Sequence, residues 1–409
     1  MKKFSDITTR DGLAEFLGIT KKMLTYVLYV KKVDSYYKEF ELPKKSGGAR
    51  KINAPHDELK TIQLKLYLAL KNHKNIERKS KNNISHAFEN KKGIITNAAI
   101  HRNKRYVLNL DLKDFFNSFH FGRVCGYFEK NKNFNLPHDI AVVLAQLLCY
   151  KGSLPQGAPT SPIMTNLICE IFDMQLLKLS KKYKLDYTRY ADDLTFSTNN
   201  KNFLEVYDEF IKQISGQIAH AGFLINDKKT RLQFKDSQQK VTGLIVNKKI
   251  QVDKPYYKTT RAMADKLYKT GEFYIDEQLG SLNQLEGRFT FIDQLSKYNN
   301  KISGVAPKNN NLCGREKEYR KFLFYKYFYA NKKPLLVTEG KTDILYLKAA
   351  LKKMYADYPE LVSRNENGDF NFEISFLNRT KRLAHFFNCS ITGADAMNSL
   401  YKFYYEKPN

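Results

Sequence analysis

The sequence predicts an α+β fold, with an antiparallel sheet and separate helices, followed by a shorter α/β segment. Three observations carry this. Tyr106–Asp111 (YVLNLD) alternates and ends in a carboxylate, and Tyr187–Ser197 sets Ala191-Asp192-Asp193 between runs of β-formers, so a strand and a hairpin are expected there. Long stretches between and after them carry apolar residues at helical spacing. A fresh strand–turn–helix pattern opens at Pro334.

Taken in order, residues 6–30 read as helix, with Asp6 and Thr8 as caps and Leu13, Phe16, Leu17 and Leu24 at helical spacing. Leu42–Pro55 reads as two short strands around Gly47-Gly48. A helix is expected from Asp57 to Asn72, and a basic, polar loop over Lys71–Asn83. Pro137–Leu148 is helical, and the Gly/Pro-rich loop Gly152–Pro162 leads into a helix ending near Lys182. Leu204–Ala221 is helical, 230–252 two short strands, and 255–303 helices. The Asn-rich stretch Pro307–Leu312 reads as a linker.

A chain of 409 residues allows two or three domains, and 42% apolar residues can fill a sizeable core. Lys and Arg number 69 against 42 Asp and Glu, a net charge of +27. Such an excess suits a polyanionic partner, because each neutralised phosphate releases a counterion; a genomic bias toward Lys is the plainer reading. The 27 Tyr and 28 Phe can stack on bases, although most must be core. Five scattered cysteines, none in Cys-x-x-Cys spacing, point to a reducing compartment and no zinc site. The N-terminus lacks an apolar signal region, and the longest apolar run, Ile140–Tyr150, is too short to span a bilayer. A soluble cytoplasmic protein, with no membrane partner, is expected.

Asp111 closes a strand, while Asp192 and Asp193 sit at a hairpin turn. Adjacent strand residues face opposite ways, but at a tight turn both can reach a cation. Carboxylates on rigid elements suit a hard ion such as Mg2+. Asp-Asp also marks ordinary surface turns, so the order of motifs decides. Leu110-Asp-Leu-Lys-Asp-Phe-Phe116 comes first, then Leu154-Pro-Gln-Gly-Ala-Pro-Thr-Ser-Pro162, then Tyr190-Ala-Asp-Asp193. These segments resemble motifs A, B and C of the reverse transcriptases.

That resemblance implies a right-hand polymerase fold: fingers, a palm built on the antiparallel sheet, and a helical thumb. It divides the chain into an N-terminal helical region (1–45), fingers and palm (46–245), thumb (246–305), linker (306–333) and a last segment (334–409). It implies nucleotidyl transfer with two ions about 4 Å apart, Mg2+ or its substitute Mn2+, held by Asp111, Asp192 and Asp193. Phe116 matches the steric gate that excludes a ribose 2′-OH and so selects dNTPs, with Phe115 next in line. Gln156 and Gly157 match the loop against the incoming nucleotide and template; Gly157, without a Cβ, lets backbone approach a base pair closely. Arg50 and Lys51 match the fingers strands that hold the triphosphate, against the plainer reading of a solvated hairpin. Gly222–Arg231 resembles motif D. Its Lys229 is the expected proton donor to pyrophosphate, and Lys228 its competitor.

Two further segments resemble the retron-type reverse transcriptases in particular. Asn97-Ala-Ala-Ile-His101 matches their NAxxH pattern, and Val241-Thr242-Gly243 their VTG. Ser85-His-Ala-Phe88 fits too, although Ala87 stands where Gly is usual and Lys92-Gly93 where Arg-Ser is usual. The resemblance covers about residues 10–305. It implies RNA contacts at Asn97, His101, Val241, Thr242 and Gly243. In the thumb, basic residues Lys258, Arg261 and Lys269 beside Tyr256 and Tyr257 are suited to an RNA/DNA duplex. The implied partners are a retron noncoding RNA and its DNA product, the branched multicopy single-stranded DNA primed from an RNA 2′-hydroxyl, together with dNTPs. With no ribonuclease H pattern in the chain, a host ribonuclease H would remove template. A role in antiphage defence would add an effector or a phage trigger. Finally, Leu335–Asp343 (LLVTEGKTD) resembles the opening of a Toprim domain, with Glu339 as general acid/base; the Asp-x-Asp that a Toprim needs for Mg2+ is missing, so this segment reads as partial.

Overall fold

Thr9 caps the first helix, α1 (Arg10–Phe16), its hydroxyl accepting from Gly12 N at 3.0 Å. Gly18, at φ 61°, turns the chain out of it, and α2 (Lys21–Thr25) restarts behind a second cap, Thr20. The single helix expected over residues 6–30 is therefore broken. The chain is described by a computed structural model over residues 3–43, 47–77, 84–304 and 312–406.

Strands β1 (Tyr37–Pro43) and β2 (Ala49–Pro55) form an antiparallel hairpin. Helix α3 (Asp57–Glu77) buries Leu59, Ile62, Leu66 and Leu70, a stripe at helical spacing. It runs past Lys71, where a loop is expected from composition, because the buried Lys74 finds an ion-pair partner in Glu89. Residues 78–83 of that expected loop lie outside the described residues.

Helix α4 (Ile94–Ile100) precedes β3 (Tyr106–Lys113), whose Val107, Leu108, Leu110 and Leu112 are all buried. Burial on both faces marks a central strand. Helices α5 (Phe121–Lys130) and α6 (His138–Leu148) pack on each other, and the long α7 (Ser161–Lys182) packs on β4 (Asp186–Tyr190). Next come β5 (Asp193–Thr198), α8 (Tyr207–His220), β6 (Leu224–Ile225) and β7 (Arg231–Phe234). The resulting five-stranded antiparallel sheet runs β4-β5-β3-β6, with β7 also paired to β3. A small hairpin, β8 (Lys240–Val241) and β9 (Leu244–Ile245), packs against α4. These elements belong to one compact unit, Met1–Ile250.

The second unit is Gln251–Asn409. It holds α9 (Lys254–Thr270), the hairpin β10 (Tyr274–Ile275) and β11 (Gln278–Leu279), α10 (Leu282–Ile302) and α11 (Gly314–Phe324). Strand β12 (Leu335–Leu336), helix α12 (Lys341–Lys353), the hairpin β13 (Val362–Arg364) and β14 (Phe370–Phe372), and β15 (Ser375–Phe376) follow. β15 lies parallel to β12, and helices α13 (Lys381–Phe386) and α14 (Ala394–Glu406) end the unit. Among the described residues no helix is long and apolar enough to cross a membrane.

Two boundary expectations are corrected here. The range 306–333 is no linker: it contains α11, whose Tyr319, Phe322 and Leu323 are buried. Residues 305–311, most of the Asn-rich stretch, lie outside the described residues. Nor does 334–409 form a body apart from 246–305. Leu377, Leu383, Phe386, Phe387 and Leu400 share one apolar cluster with Ala264, Leu267, Leu285, Phe289 and Tyr319. The reason is the scarcity of core in the last segment itself. Its sheets have two strands each and α12 buries no side chain, so most of its apolar burial lies in the shared cluster.

Candidate active site

β4 and β5 join through a two-residue turn, Ala191-Asp192, with Tyr190 paired to Asp193. Ala191 sits at φ 57°, left-handed backbone that costs a non-glycine residue roughly 1–2 kcal/mol. Two contacts hold it there. Arg189 Nη1 donates to Ala191 O at 3.3 Å, and Leu112 N donates to Asp192 O at 3.0 Å. Arg189 is itself clamped, fully buried, by both oxygens of Asp173 on α7 at 2.8 Å each. In the β3–β5 register Asp111 lies opposite Asp193. Three carboxylates thus gather at one end of the central strands.

Their charges are not balanced by one another. Asp193 is pushed up to about 7, first by burial and then by Asp192 and Asp111. Asp192 is raised as well, again chiefly by burial, with Asp111 adding to it and Lys229 and Arg50 opposing. Asp111 accepts from Asn226 Nδ2 at 3.0 Å on one oxygen and from Lys229 Nζ at 2.9 Å on the other. That hydrogen bond is the main cause of a raised Lys229 pKa. Crowded carboxylates that resist ionising together are what a divalent cation relieves, and hard oxygen donors fit one. The three do not close on a single point. Among the described residues, the trio of ligand-type side chains whose atoms lie within 4.8 Å of one another is elsewhere, at Cys125, Glu129 and His138.

The remaining expected residues fall into distinct places. Arg50, exposed on β2, acts electrostatically on Asp192. Lys51 points to the other face of the strand; its charge is felt at Glu39, after the stronger Lys151 contact. Phe116 is half-buried, just past a left-handed turn at Asp114. Phe115, the alternative gate, is core, with its ring 5.1 Å from Phe119 and 5.8 Å from Phe223. Gln156 O accepts from Asn53 N at 2.8 Å, which ties its loop to β2. Gly157, at φ 130°, meets β2 directly: a Cβ there would stand 2.7 Å from Asn53 O and 2.9 Å from Ile52 Cγ2. Protein backbone already demands glycine at this position.

The expected RNA contacts at Asn97 and His101 are corrected, since both side chains are fully buried. Burial pushes the His101 imidazolium down to about 3, so the ring is neutral. Thr188 spends its proton on Asn97 Oδ1 at 2.6 Å, so it must accept from His101 Nε2 at 2.7 Å; Nδ1 then accepts from the Ser197 hydroxyl at 2.7 Å. His101 thereby pins β4 to β5, the two strands of the Asp-Asp hairpin. Val241 is buried too, and Thr242 donates to Ile94 O on α4 at 3.4 Å; only Gly243 of that triplet is exposed. On α9, Lys258 is exposed and makes no ion pair among the described residues, whereas Arg261 pairs with Glu318 at 3.4 Å and Lys269 with Asp265 at 2.8 Å. Glu339 is exposed beyond β12, its carbonyl hydrogen-bonded by Arg379 Nη2. Sequence reasoning missed Asn226 and the Arg189–Asp173 clamp. The first lay inside the motif D-like segment, three residues before Lys229; the second has no local signal.

Residues 42–246 match the family model described as reverse transcriptase (RNA-dependent DNA polymerase). The chain belongs to that family. Among curated relatives, the retron Ec86 reverse transcriptase of Escherichia coli is 35% identical, over 60% of this chain and 73% of its own length. The retron Mx162 reverse transcriptase of Myxococcus xanthus is 32% identical over 59% of this chain, which spans only 54% of that relative. The retron Ec48 reverse transcriptase of Escherichia coli is 24% identical over 87% of this chain and 83% of its own. Within that family the chain groups with the retron reverse transcriptases, and reverse transcriptases use divalent metal ions. A solved apo telomerase of Candida tropicalis superposes with a TM-score of 0.43 at 14% identity, covering 73% of this chain and 62% of that one.

Proposed function

We propose that this reverse transcriptase copies a partner retron noncoding RNA into branched multicopy single-stranded DNA, priming from a 2′-hydroxyl of that RNA. The observation that carries the reading is Asp111 facing Asp193 across β3 and β5, with Asp192 beside them in a braced turn. Asp111, Asp192 and Asp193 would hold Mg2+, because they offer the hard oxygen donors that ion prefers. Such ions, or Mn2+, would lower the pKa of the attacking hydroxyl and stabilise the leaving pyrophosphate. Around them, Arg50 on β2 is the triphosphate clamp and Phe116 the gate against the ribose 2′-OH. Lys229 is the proton donor to pyrophosphate; Lys228 makes no ion pair among the described residues. Gln156 aligns the template side through its hold on β2.

Helices α9 and α10 act as the thumb, with exposed Lys258, which makes no ion pair among the described residues, open to a phosphate. We read the segment from β12 onward as a partial Toprim-like piece that docks a partner in antiphage defence. Its β12–α12–β15 crossover supports this, while an arginine, Arg379, follows β15 where a metal-binding Asp-x-Asp would be needed. A host ribonuclease H removes template. The test is primer extension on the cognate RNA with Asp192→Asn. DNA synthesis should fall by several orders of magnitude while RNA affinity holds, because charge is lost and the turn is not. Robust synthesis by this variant would sink the assignment.

A further inference from the structure

The spacing of the cysteines offers no zinc pattern, yet the fold assembles a set of zinc-type ligands from two helices. α5 carries Cys125 and Glu129 one turn apart on the same face, and Cys125 Sγ lies 3.5 Å from Glu129 Oε1. The loop 131–137 then brings His138, the first residue of α6, onto the same carboxylate, Nδ1 against Oε1. One atom from each of the three lies within 4.8 Å of the other two.

We propose that Cys125, Glu129 and His138 bind one transition-metal ion, Zn2+ foremost, with water as the fourth ligand. Tetrahedral zinc with bonds of about 2.0–2.3 Å sets its ligand atoms roughly 3.3–3.6 Å apart. The sulfur–carboxylate separation already matches. His138, whose side chain is 80% exposed, can swing away from Glu129 to open the third edge. Thiolate, imidazole and carboxylate together prefer zinc, whereas the oxygen-only aspartates prefer Mg2+, so the two sites separate by chemistry. The buried thiol closes the inner side of the site and the exposed imidazole leaves the outer side open to water. Glu129 also lies in the last turn of α5, where the helix carbonyl ends favour a cation. Binding releases the thiol proton to solvent and ties the end of α5 to the start of α6.

The test adds Co2+ to metal-stripped, full-length protein and follows the thiolate-to-cobalt charge-transfer absorption. Cobalt on Asp111, Asp192 and Asp193 gives no such band, because they offer no sulfur. The expected result is a single band-forming equivalent, displaced by Zn2+ and weakened at least tenfold by His138→Ala and by Cys125→Ser. Should the buried Cys125→Ser variant fail to fold, His138→Ala and Glu129→Gln decide, since both change side chains that reach solvent. Absence of the band in the unaltered protein overturns the proposal. So does a band of undiminished strength in His138→Ala, which would put the cobalt on Cys313 or Cys389.

Discussion

Phe386→Ala is the sharpest probe of how the second unit is built. Phe386 is buried on α13, with its ring 4.8 Å from Tyr319 of α11 and Lys297 of α10 lying 5.7 Å above it. Removing a fully buried phenyl ring from a core costs about 3–5 kcal/mol. A free-energy loss of that size corresponds to roughly two to four orders of magnitude faster amide exchange, where exchange requires opening of the whole unit. Hydrogen exchange should therefore accelerate in α9 and α10, far along the chain from the substitution. Cutting the chain after Ala330 is harsher still. It removes Leu377, Leu383, Phe386, Phe387 and Leu400, worth roughly 1.5–3 kcal/mol each. The sum rivals the entire stability of an ordinary domain, about 5–15 kcal/mol. The truncated protein should expose the proposed thumb core, aggregate, and lose long DNA products before short ones. Unchanged protection of α9 and α10 in Phe386→Ala, together with full-length products from the truncated chain, would show the last segment to be an independent module and refute this reasoning.

Other predictions follow from the first unit. Phe116→Ala should admit ribonucleotides in a misincorporation assay, and an unaltered rNTP/dNTP preference would move the gate elsewhere. Because folding raises the Asp193 pKa from 3.8 to about 7, the folded metal-free protein binds more protons than the unfolded chain between those values. Its stability should fall as pH rises through that window, and metal affinity should rise with pH up to about 7. Asp193→Asn should flatten both trends in denaturation and calorimetric titrations. His101→Ala removes the acceptor of the Ser197 hydroxyl, at a cost of about 1–3 kcal/mol for a buried group left unpaired, while Thr188 keeps its bond to Asn97. The melting temperature should drop while the folded fraction keeps its RNA affinity; a selective loss of RNA binding would restore His101 as a contact.

The parts of the site that sequence reasoning reached are those where chemistry dictates residue type. Carboxylates at a strand end and in a tight turn are recognisable because few other side chains can serve a hard cation, whereas the register that sets Asp111 opposite Asp193 is visible only in the fold. The parts it missed depend on burial, which one sequence does not display. Asn97 and His101 match a family pattern that implies RNA contact, and a packed histidine is the plainer reading of His101; their hydroxyl partners Thr188 and Ser197, about ninety residues away, decide for packing. Gly157 reads as clearance for a ligand, when the obstacle is Asn53 of β2. The last segment reads as a module because Asn-rich composition and a new strand–helix pattern suggest a joint. Its aromatic pair Phe386-Phe387, meeting Tyr319 of α11 and Phe328 just beyond it, was the signal that the two share a core.

Burial also changes what the two retron-marking motifs can mean. α4 receives the Thr242 hydroxyl at its first residue, Ile94, and about one and two turns later presents Asn97 and His101 to Thr188 and Ser197. β4 and β5, which carry those hydroxyls, end in Ala191, Asp192 and Asp193. The motifs are thus consecutive links of one packed path, running from the exposed turn at Gly243 to the carboxylates. A sequence pattern conserving such a path would constrain the rigidity of the catalytic hairpin first and the identity of any RNA only second. An RNA reading the chain at Asn97 or His101 would have to open the palm and break hydrogen bonds to the buried hydroxyls of Thr188 or Ser197. An RNA resting on the Gly243 turn would press on the same path without breaking a bond, which makes that turn the place where partner recognition and catalytic geometry can meet.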